Sequence, residues 1–333
     1  MITKRYLITR SIYAIATTFV AIVINFLLPR LTPGNPAVTA LATTYHYLPP
    51  GKLKLLESQF GLTNAPLYVQ FETYFWNLLH GNLGFSFHYY PETVTQVIAQ
   101  HLPWTLFLLG TATLISSFLG VVIGRITGWM SGTKGETTLS SIFIALTSLP
   151  YFWFAIILQL VLAVDLVING FRFFPINGSY SVFVTPGVNL PFIISALRHS
   201  LLPLISIVVT AFPGFALTMR NTMVNLNKED YITMAKAKGL RESHIVKKYA
   251  ARNAVLPVST HIVLAFGYIV AGAFFVEIVF GYQGIGYVLY EAVTSQDFPL
   301  TDGIFLVITL TVIIANFAAD LLYAYLDPRV QLR

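Results

Sequence analysis

The chain has 333 residues, of which 56% are hydrophobic and only 10% are charged, with a mean hydropathy of +0.70. A soluble domain typically carries about 25% charged residues, so this composition excludes a soluble globule and predicts a membrane protein. The formal net charge of +6 lies in short segments between apolar runs, which indicates membrane orientation and argues against nucleic-acid binding. The absence of cysteine excludes disulfides, zinc–thiolate sites and thiol nucleophiles.

The first apolar run follows a short basic segment. Three of the first ten residues are lysine or arginine, and residues 11–28 are then long enough to cross a hydrocarbon core of ~30 Å. No small-residue cleavage site follows this run, so it is not a secretory signal. We predict that residues 1–30 are a cytoplasmic N-terminus and an uncleaved first transmembrane helix.

Residues 31–101 are mixed in character and too long for a loop without structure. They contain proline-rich turns, an aromatic-rich helix candidate at 66–79 and a glycine-containing segment at 81–87. We predict a small, mainly helical lobe on the extracytoplasmic side, between transmembrane helices 1 and 2.

Residues 102–333 contain the other apolar runs, which predict an all-α core with transmembrane helices 2–6. The expected spans are 104–129, 139–166, 201–217, 256–280 and 300–326. With the N-terminus inside, fifteen of the twenty lysines and arginines fall on the cytoplasmic side, as the positive-inside rule requires. Six spans then also place the C-terminus in the cytoplasm.

The most distinctive stretch is residues 230–257, a strongly basic and helix-forming interruption of the apolar pattern. Tyr231, Met234, Ala235 and Lys238 fall at helical spacing, Gly239 breaks the pattern, and a second helical segment is expected at 242–253. A helix, a turn and a helix between two spans indicate a cytoplasmic region, 227–255, to which a partner protein can bind.

The motifs of phosphate, nucleotide and metal sites do not occur in this sequence. Gly132-Thr133-Lys134-Gly135 lacks the spacing of a phosphate-binding loop, so the chain is not expected to hydrolyse ATP by itself. The glycine cluster at 281–286 follows an apolar run and not a strand, which favours an outer-loop or re-entrant turn over a dinucleotide site. The seven histidines form no pair at metal-ligand spacing, so no metal site is expected.

Three carboxylates lie within the predicted spans. We expect Asp320, which lies near Arg329 and Arg333, to pair with basic groups at the inner interface, with an ion or proton relay as the alternative. Glu277 and Asp165 lie near outer helix ends, where water or a helix partner can satisfy them, and a role in the translocation path is the alternative.

Five sequence patches together resemble the membrane permease subunits of ABC importers, specifically the first (B-type) permease of the dipeptide/oligopeptide/nickel family. They extend over nearly the whole chain. The patches are LLPRLTPGNPA at 27–37, GLTNAPLYVQF with NLLHGNLGFSF at 61–87, DYITMAKAKGL with ARNAVLPV at 230–258, VEIVFGYQGIG at 276–286 and DLLYAYLDPRV at 320–330.

The resemblance implies a type I importer fold with six transmembrane helices, in which region 227–255 carries the coupling helix that docks on an ATPase subunit. The residues assigned to coupling are Tyr231, Ala235, Lys236, Ala237, Lys238, Gly239 and Leu240, and those assigned to the start of the following span are Leu256 and Pro257. The signature of general importers begins with Glu-Ala-Ala, whereas the corresponding residues here are Thr233-Met234-Ala235. This departure narrows the subfamily and weakens any role for a glutamate in coupling.

The function implied by the resemblance is ATP-driven, binding-protein-dependent import of di- or oligopeptides through a multi-pass protein of the cell membrane. The implied partners are a second homologous permease, two ATP-binding subunits that hold ATP and magnesium, and an extracytoplasmic solute-binding protein. This chain would hold no cofactor of its own and would catalyse no reaction. Alternatives are oligosaccharide or, less favoured, nickel cargo in the same class. A self-sufficient secondary transporter or channel is the alternative class.

Overall fold

The computed structural model describes residues 4–31, 66–165, 168, 170, 173–267 and 274–326 of the chain. These ranges are mostly helical, and their one extended pairing is an isolated antiparallel bridge between Phe85 and Thr93. The helices, numbered here in chain order, are α1 Lys4–Leu31, α2 Leu67–Leu79, α3 Val94–Trp129, α4 Lys134–Ser148, α5 Tyr151–Leu158, α6 Leu190–Leu226, α7 Asp230–Ala237, α8 Glu242–His244, α9 Ala251–Gly267, α10 Phe274–Val279, α11 Ile285–Thr294 and α12 Phe298–Leu326. Two π-helical segments, Gln159–Asp165 and Ile245–Ala250, extend α5 and join α8 to α9.

Four helices in the described ranges are long and apolar enough to cross a membrane: α1, α3, α6 and α12. A fifth span is present if α4 and α5, which meet at a bend of 89°, count as one. The predicted span 256–280 includes residues 268–273, which lie outside the described residues. The all-α membrane fold is therefore confirmed, whereas the count of six spans stays a prediction.

The span predicted at 139–166 coincides with α4 and α5, but the chain bends sharply between them, so a single crossing at this place stays a prediction. Leu149 precedes Pro150 and adopts an extended conformation with φ −80° and ψ 123°. A proline ring clashes with a helical conformation of the residue before it, so the helix stops there and restarts in a new direction. Pro150, inside the apolar run, was the sequence signal for this break, whereas the length of the run showed only that the segment is apolar enough to cross a membrane.

Two of the spans are longer than predicted. Helix α3 begins at Val94, where the expected span began at 104, because Thr93 and Gln96 form a reciprocal capping box that starts the helix in a polar stretch. Helix α6 covers 37 residues, where 201–217 was expected. Arg198, His199 and Ser200 separate its apolar first turns from the run at 201–217, and the more polar segment 218–226 extends its other end.

Helices α3 and α6 form the most extensive helix pair of the structure. Gly120, Gly124 and Gly128 repeat every four residues along α3 and face α6. A Cβ atom at Gly128 would lie 2.6 Å from the Cβ atom of Met223, closer than any real contact. The three glycines therefore let the two backbones approach, as small residues do in membrane helix pairs.

Helix α2 packs on the C-terminal half of α1 through aromatic rings. Phe71 makes edge-to-face contacts with Phe19 and Phe26, at ring-centroid distances of 6.4 and 5.1 Å, and Phe75 also meets Phe19. The helix predicted at 66–79 is thus confirmed. Because residues 32–65 lie outside the described residues, the predicted extracytoplasmic lobe and the three-part division of the chain stay predictions.

Helix α1 also packs along α12. The amide of Asn25 donates to the backbone carbonyl of Asp302 at 2.6 Å, and Arg10 forms an ion pair with Asp320 at 3.2 Å near the opposite ends of the two helices. The predicted pairing of Asp320 with a basic group is confirmed, and its partner is Arg10; Arg329 and Arg333, the basic residues near it in sequence, lie outside the described residues.

Candidate functional site

The basic region 227–255 folds as a short helix, a turn and a second helical unit over a small apolar core. Ile232 and Ala235 of α7 are buried, as is Ile245 at the start of the π-helical segment. They pack against Met219 and Met223 at the end of α6. The apolar side of the region is therefore fixed to the longest helix of the membrane core.

The turn after α7 is a Schellman motif built on Gly239. This glycine has φ +72°, its N–H donates to the carbonyl of Lys236 at 3.0 Å, and the N–H of Leu240 donates to that of Ala235 at 3.4 Å. Glycine adopts this left-handed conformation without the penalty that a Cβ atom brings. Leu240 is half-buried against the apolar core, as the residue after the glycine usually is in this motif.

One side of α7 and its turn faces outward. We call this surface the exposed α7 face and define it by Thr233, Met234, Lys236, Ala237, Lys238 and Gly239. Met234 is 60% exposed, and a Cβ atom at Gly239 would meet nothing within 4 Å. Residues 228–252 include seven lysines and arginines against three acidic residues. The exposed α7 face is therefore partly apolar, has short side chains at Ala237 and Gly239, and is surrounded by positive charge. Such a surface suits the docking of another protein better than covalent chemistry.

The predicted coupling residues divide between this face and the core below it. Ala235 is only 2% exposed, so its small side chain serves the packing of α7 on its own chain. Tyr231 is half-buried, and its hydroxyl oxygen accepts from the side-chain amide of Asn253 at 3.2 Å. Lys236, Ala237, Lys238 and Gly239 lie on the exposed face.

Trp129, at the end of α3, holds the segment from the side and is a residue that the sequence reasoning missed. Its indole N–H donates to Glu242 at 2.6 Å, and the ammonium group of Lys236 lies 5.2 Å from its ring centre. Lys236 also donates to the side-chain oxygen of Asn227 at 2.9 Å. A tryptophan at the end of an apolar run is typical of a membrane interface, and that signal was present in the sequence.

Leu256 and Pro257 lie within α9, which begins five residues before Leu256, and not at a helix start. The side chains of both residues are exposed. A proline inside a helix removes one backbone hydrogen bond, so this position marks a weak point of α9. The structure does not bring this pair onto the exposed α7 face.

At the opposite end of α3 from region 227–255, Glu277 of α10 is fully buried, and both of its carboxylate oxygens accept hydrogen bonds. Its carboxylate accepts from the hydroxyl of Thr105 at 2.7 Å and from the backbone N–H groups of Gly286 and Tyr287 at 2.7 and 3.2 Å. The hydroxyl of Thr105 in turn accepts from the N–H of Ile285 at 2.7 Å. Because the N-terminus of a helix carries unsatisfied N–H groups, the carboxylate acts as a cap for α11.

The glycine cluster at 281–286 makes this cap possible. A Cβ atom at Gly284 would overlap the carboxylate of Glu277, and one at Gly286 would lie 2.7 Å from the Cα atom of Phe274. Gly281 has φ +54°. The cluster is thus a close-packed turn between α10 and α11, which confirms the predicted turn and gives Glu277 a structural partner.

A second buried carboxylate, Asp297, caps α12. It accepts from the N–H of Leu300 at 3.1 Å, from the N–H of His88 at 2.9 Å and from the hydroxyl of Ser86. Burial raises the pKa of Asp297, and the hydrogen bonds from Ser86 and His88 oppose that rise. Nearby, burial and a hydrogen bond to Glu291 raise the pKa of Tyr89. These bonds fix segment 81–93 to the start of α12.

The chain matches the model of a family described as the binding-protein-dependent transport system inner membrane component, over residues 120–332. The chain belongs to this family. The match begins within α3 and includes region 227–255 and the glycine cluster. Within the described residues, no group of three potential metal ligands occurs. Membership confirms the predicted importer-permease family, a transport component with several membrane-crossing helices.

Curated relatives from this family align with almost the whole length of the chain. A Brucella ovis protein named as a peptide permease is 32% identical over 98% of this chain and 99% of its own length. The oligopeptide transport system permease protein OppB of Haemophilus influenzae is 30% identical, with the same two shares. The oligopeptide transport system permease protein AppB of Bacillus subtilis is 28% identical, again over 98% and 99%.

Proposed function

We propose that this chain is one permease subunit of an ATP-driven importer for di- or oligopeptides. The observation that carries the proposal is the exposed α7 face, a partly apolar docking surface surrounded by basic residues and rigidly attached to a membrane-crossing helix. Within a family of binding-protein-dependent transport components, such a surface suits the subunit that supplies the ATPase activity.

The names of the relatives support peptides as the cargo. The three relatives compared above are named for peptides or oligopeptides, and they align along almost the entire chain. The saccharide and nickel alternatives receive no support from these names. A self-sufficient transporter or channel is not favoured either, since the family is defined by dependence on a binding protein.

In the proposed mechanism, a second homologous permease completes the translocation path and an external binding protein delivers the peptide. Two ATP-binding subunits, which hold ATP and magnesium, dock on region 227–255 of this chain and on its counterpart in the second permease. Their closure moves the α7 helices and rocks the spans between inward-open and outward-open states. The charge distribution supports placing both termini and region 227–255 in the cytoplasm.

Reconstitution tests this proposal directly. Vesicles that contain this chain with its partner permease, the ATP-binding subunits and the binding protein should accumulate a labelled oligopeptide only when ATP is present on the side of the ATP-binding subunits. Peptide uptake by this chain alone would contradict the proposal and support the self-sufficient class. Uptake of an oligosaccharide in place of the peptide would overturn the cargo.

Gly239 offers a sharper test of coupling. Gly239→Asn and Gly239→Phe both place a side chain on a left-handed residue, but only the phenylalanine projects bulk from the exposed α7 face. We expect the asparagine variant to keep ATP-driven uptake. The phenylalanine variant should insert normally, hydrolyse ATP and lose uptake. Normal uptake by Gly239→Phe would remove region 227–255 from the coupling surface.

A further inference from the structure

A pocket of about 340 Å³ lies beside region 227–255, between the end of α3 and α8 with the π-helical segment that follows. We call it the Trp129 pocket. Its lining combines charged and apolar side chains: Arg125, Ile126, Trp129, Met130, Glu242 and Lys247. The coupling role proposed above uses the exposed α7 face and gives no task to this pocket.

The cations of the Trp129 pocket have no counter-ion in the described part of the chain. The two ion pairs found there are Arg10–Asp320 and Arg220–Glu136, so neither Arg125 nor Lys247 has a carboxylate partner. The one acid of the pocket, Glu242, already accepts the indole N–H of Trp129 at 2.6 Å. A half-buried guanidinium at a membrane interface that has no ion-pair partner among the described residues is available to an anion from another molecule.

The apolar lining of the pocket continues into the surface of a transmembrane helix. Leu119, Val122 and Ile126 form one stripe of α3 at spacings of three and four residues; Ile126 is 49% exposed, and the other two are half-buried. Met130 extends this stripe past the helix end and is 38% exposed. A ligand that fits here is amphiphilic, with an anionic group for the two cations and a hydrocarbon chain for the stripe.

We infer that the Trp129 pocket binds the phosphate headgroup of an anionic phospholipid, with one acyl chain along the α3 stripe. Arg125 lies four residues before the end of α3, or about 6 Å along its axis, so its guanidinium reaches the headgroup level. Trp129 occupies the same level, as tryptophans at membrane interfaces do. The inference rests on α3 crossing the bilayer and not on the proposed import function.

Trp129 itself is the reporter for the test. The full chain is placed in nanodiscs with its other three tryptophans replaced by phenylalanine, and quenching is measured with brominated phosphatidylglycerol or brominated phosphatidylcholine. Two cations offset by one acid leave about one net charge, worth about 1 kcal/mol near an anionic lipid. Half-maximal quenching should therefore need an about fivefold lower fraction of phosphatidylglycerol than of phosphatidylcholine.

Matched variants decide the outcome. The double variant Arg125→Gln, Lys247→Gln should lose the preference, whereas Lys248→Gln, which changes the exposed neighbour outside the pocket, should keep it. Unchanged helical circular dichroism and elution volume show that the double variant is folded. Equal quenching by both lipids, or a preference that survives the double variant, would overturn the inference. Relief of quenching by inorganic phosphate or ATP would also overturn it, because the cations would then serve a soluble anion.

Discussion

The two ends of this permease use polar residues in opposite ways. At the end that holds α10 and α11, the carboxylates of Glu277 and Asp297 are fully buried and accept several hydrogen bonds each. In region 227–255, by contrast, the buried residues are apolar, and the charged ones point outward with few partners. Buried polar groups without partners are costly, so the first arrangement specifies structure. The second leaves charge available to another molecule.

This contrast predicts where substitutions act. A polar residue of the α10–α11 end should affect the stability of the chain before it affects transport. A polar residue on the exposed α7 face should affect association and coupling while the stability stays the same. The four predictions below test this separation and run from the largest expected effect to the smallest.

Removal of the buried carboxylate should have the largest effect. Glu277→Ala leaves the N–H groups of Gly286 and Tyr287 and the hydroxyl of Thr105 without their acceptor, and we expect a loss of about 3 kcal/mol. The measurement is the apparent melting midpoint of the purified chain in detergent. Glu277→Gln keeps one acceptor oxygen, so its melting midpoint should lie between those of the unchanged chain and of Glu277→Ala. An unchanged midpoint for Glu277→Ala would show that the buried cap has no structural weight.

The next largest loss of stability is expected at Gly284, whose backbone lies close to the carboxylate of Glu277. Gly284→Ala places a methyl group on the carboxylate of Glu277, and we expect a loss of about 2 kcal/mol from overpacking. In a Glu277→Ala background the methyl group has room, so the same substitution should cost much less. A double-mutant cycle on the melting midpoint measures this coupling. Equal effects in both backgrounds would place the strain elsewhere.

The sequence alone was informative about region 227–255 because its signals are local. Helical spacing, a helix-ending glycine and excess basic charge all lie within one stretch, and together they predict the helix, the turn and the exposed surface. The burial of Ala235 was not predictable in this way. It depends on Met219 and Met223 of α6, whose position relative to α7 is a tertiary feature.

The α10–α11 end was harder to predict because its key contacts join distant residues. Glu277 meets Thr105 across 172 positions of the chain, and Asp297 meets Ser86 across 211. No spacing rule links such pairs. The bend at Pro150 and the early start of α3 were missed for a different reason, since apolar run length reports membrane crossing and not helix length.

The Schellman turn provides the third prediction, with an intermediate effect. Gly239→Ala should lower stability by about 1 kcal/mol, because alanine is strained at φ +72° although its Cβ atom meets no neighbour. Gly239→Asn should lower it less, since asparagine tolerates this conformation. The melting midpoints of the two variants give the comparison. If alanine were as stable as glycine, the turn would be free to change conformation, and the exposed α7 face would not be rigid.

The smallest effect on stability and the clearest effect on association are expected at Lys238. Its side chain is exposed on the α7 face, so Lys238→Gln should change the stability by less than about 0.5 kcal/mol. Its affinity for the ATP-binding subunits should fall about threefold, the worth of one exposed ion pair. That difference should shrink at high salt, because exposed charges are screened, and Lys238→Arg should restore the affinity. Titration of labelled ATP-binding subunits against the chain in nanodiscs, at two salt concentrations, measures both properties. A stability loss as large as that of Gly239→Ala would mean that the charges of region 227–255 hold the fold together, as the carboxylates at the other end do, and the contrast between the two ends would fail.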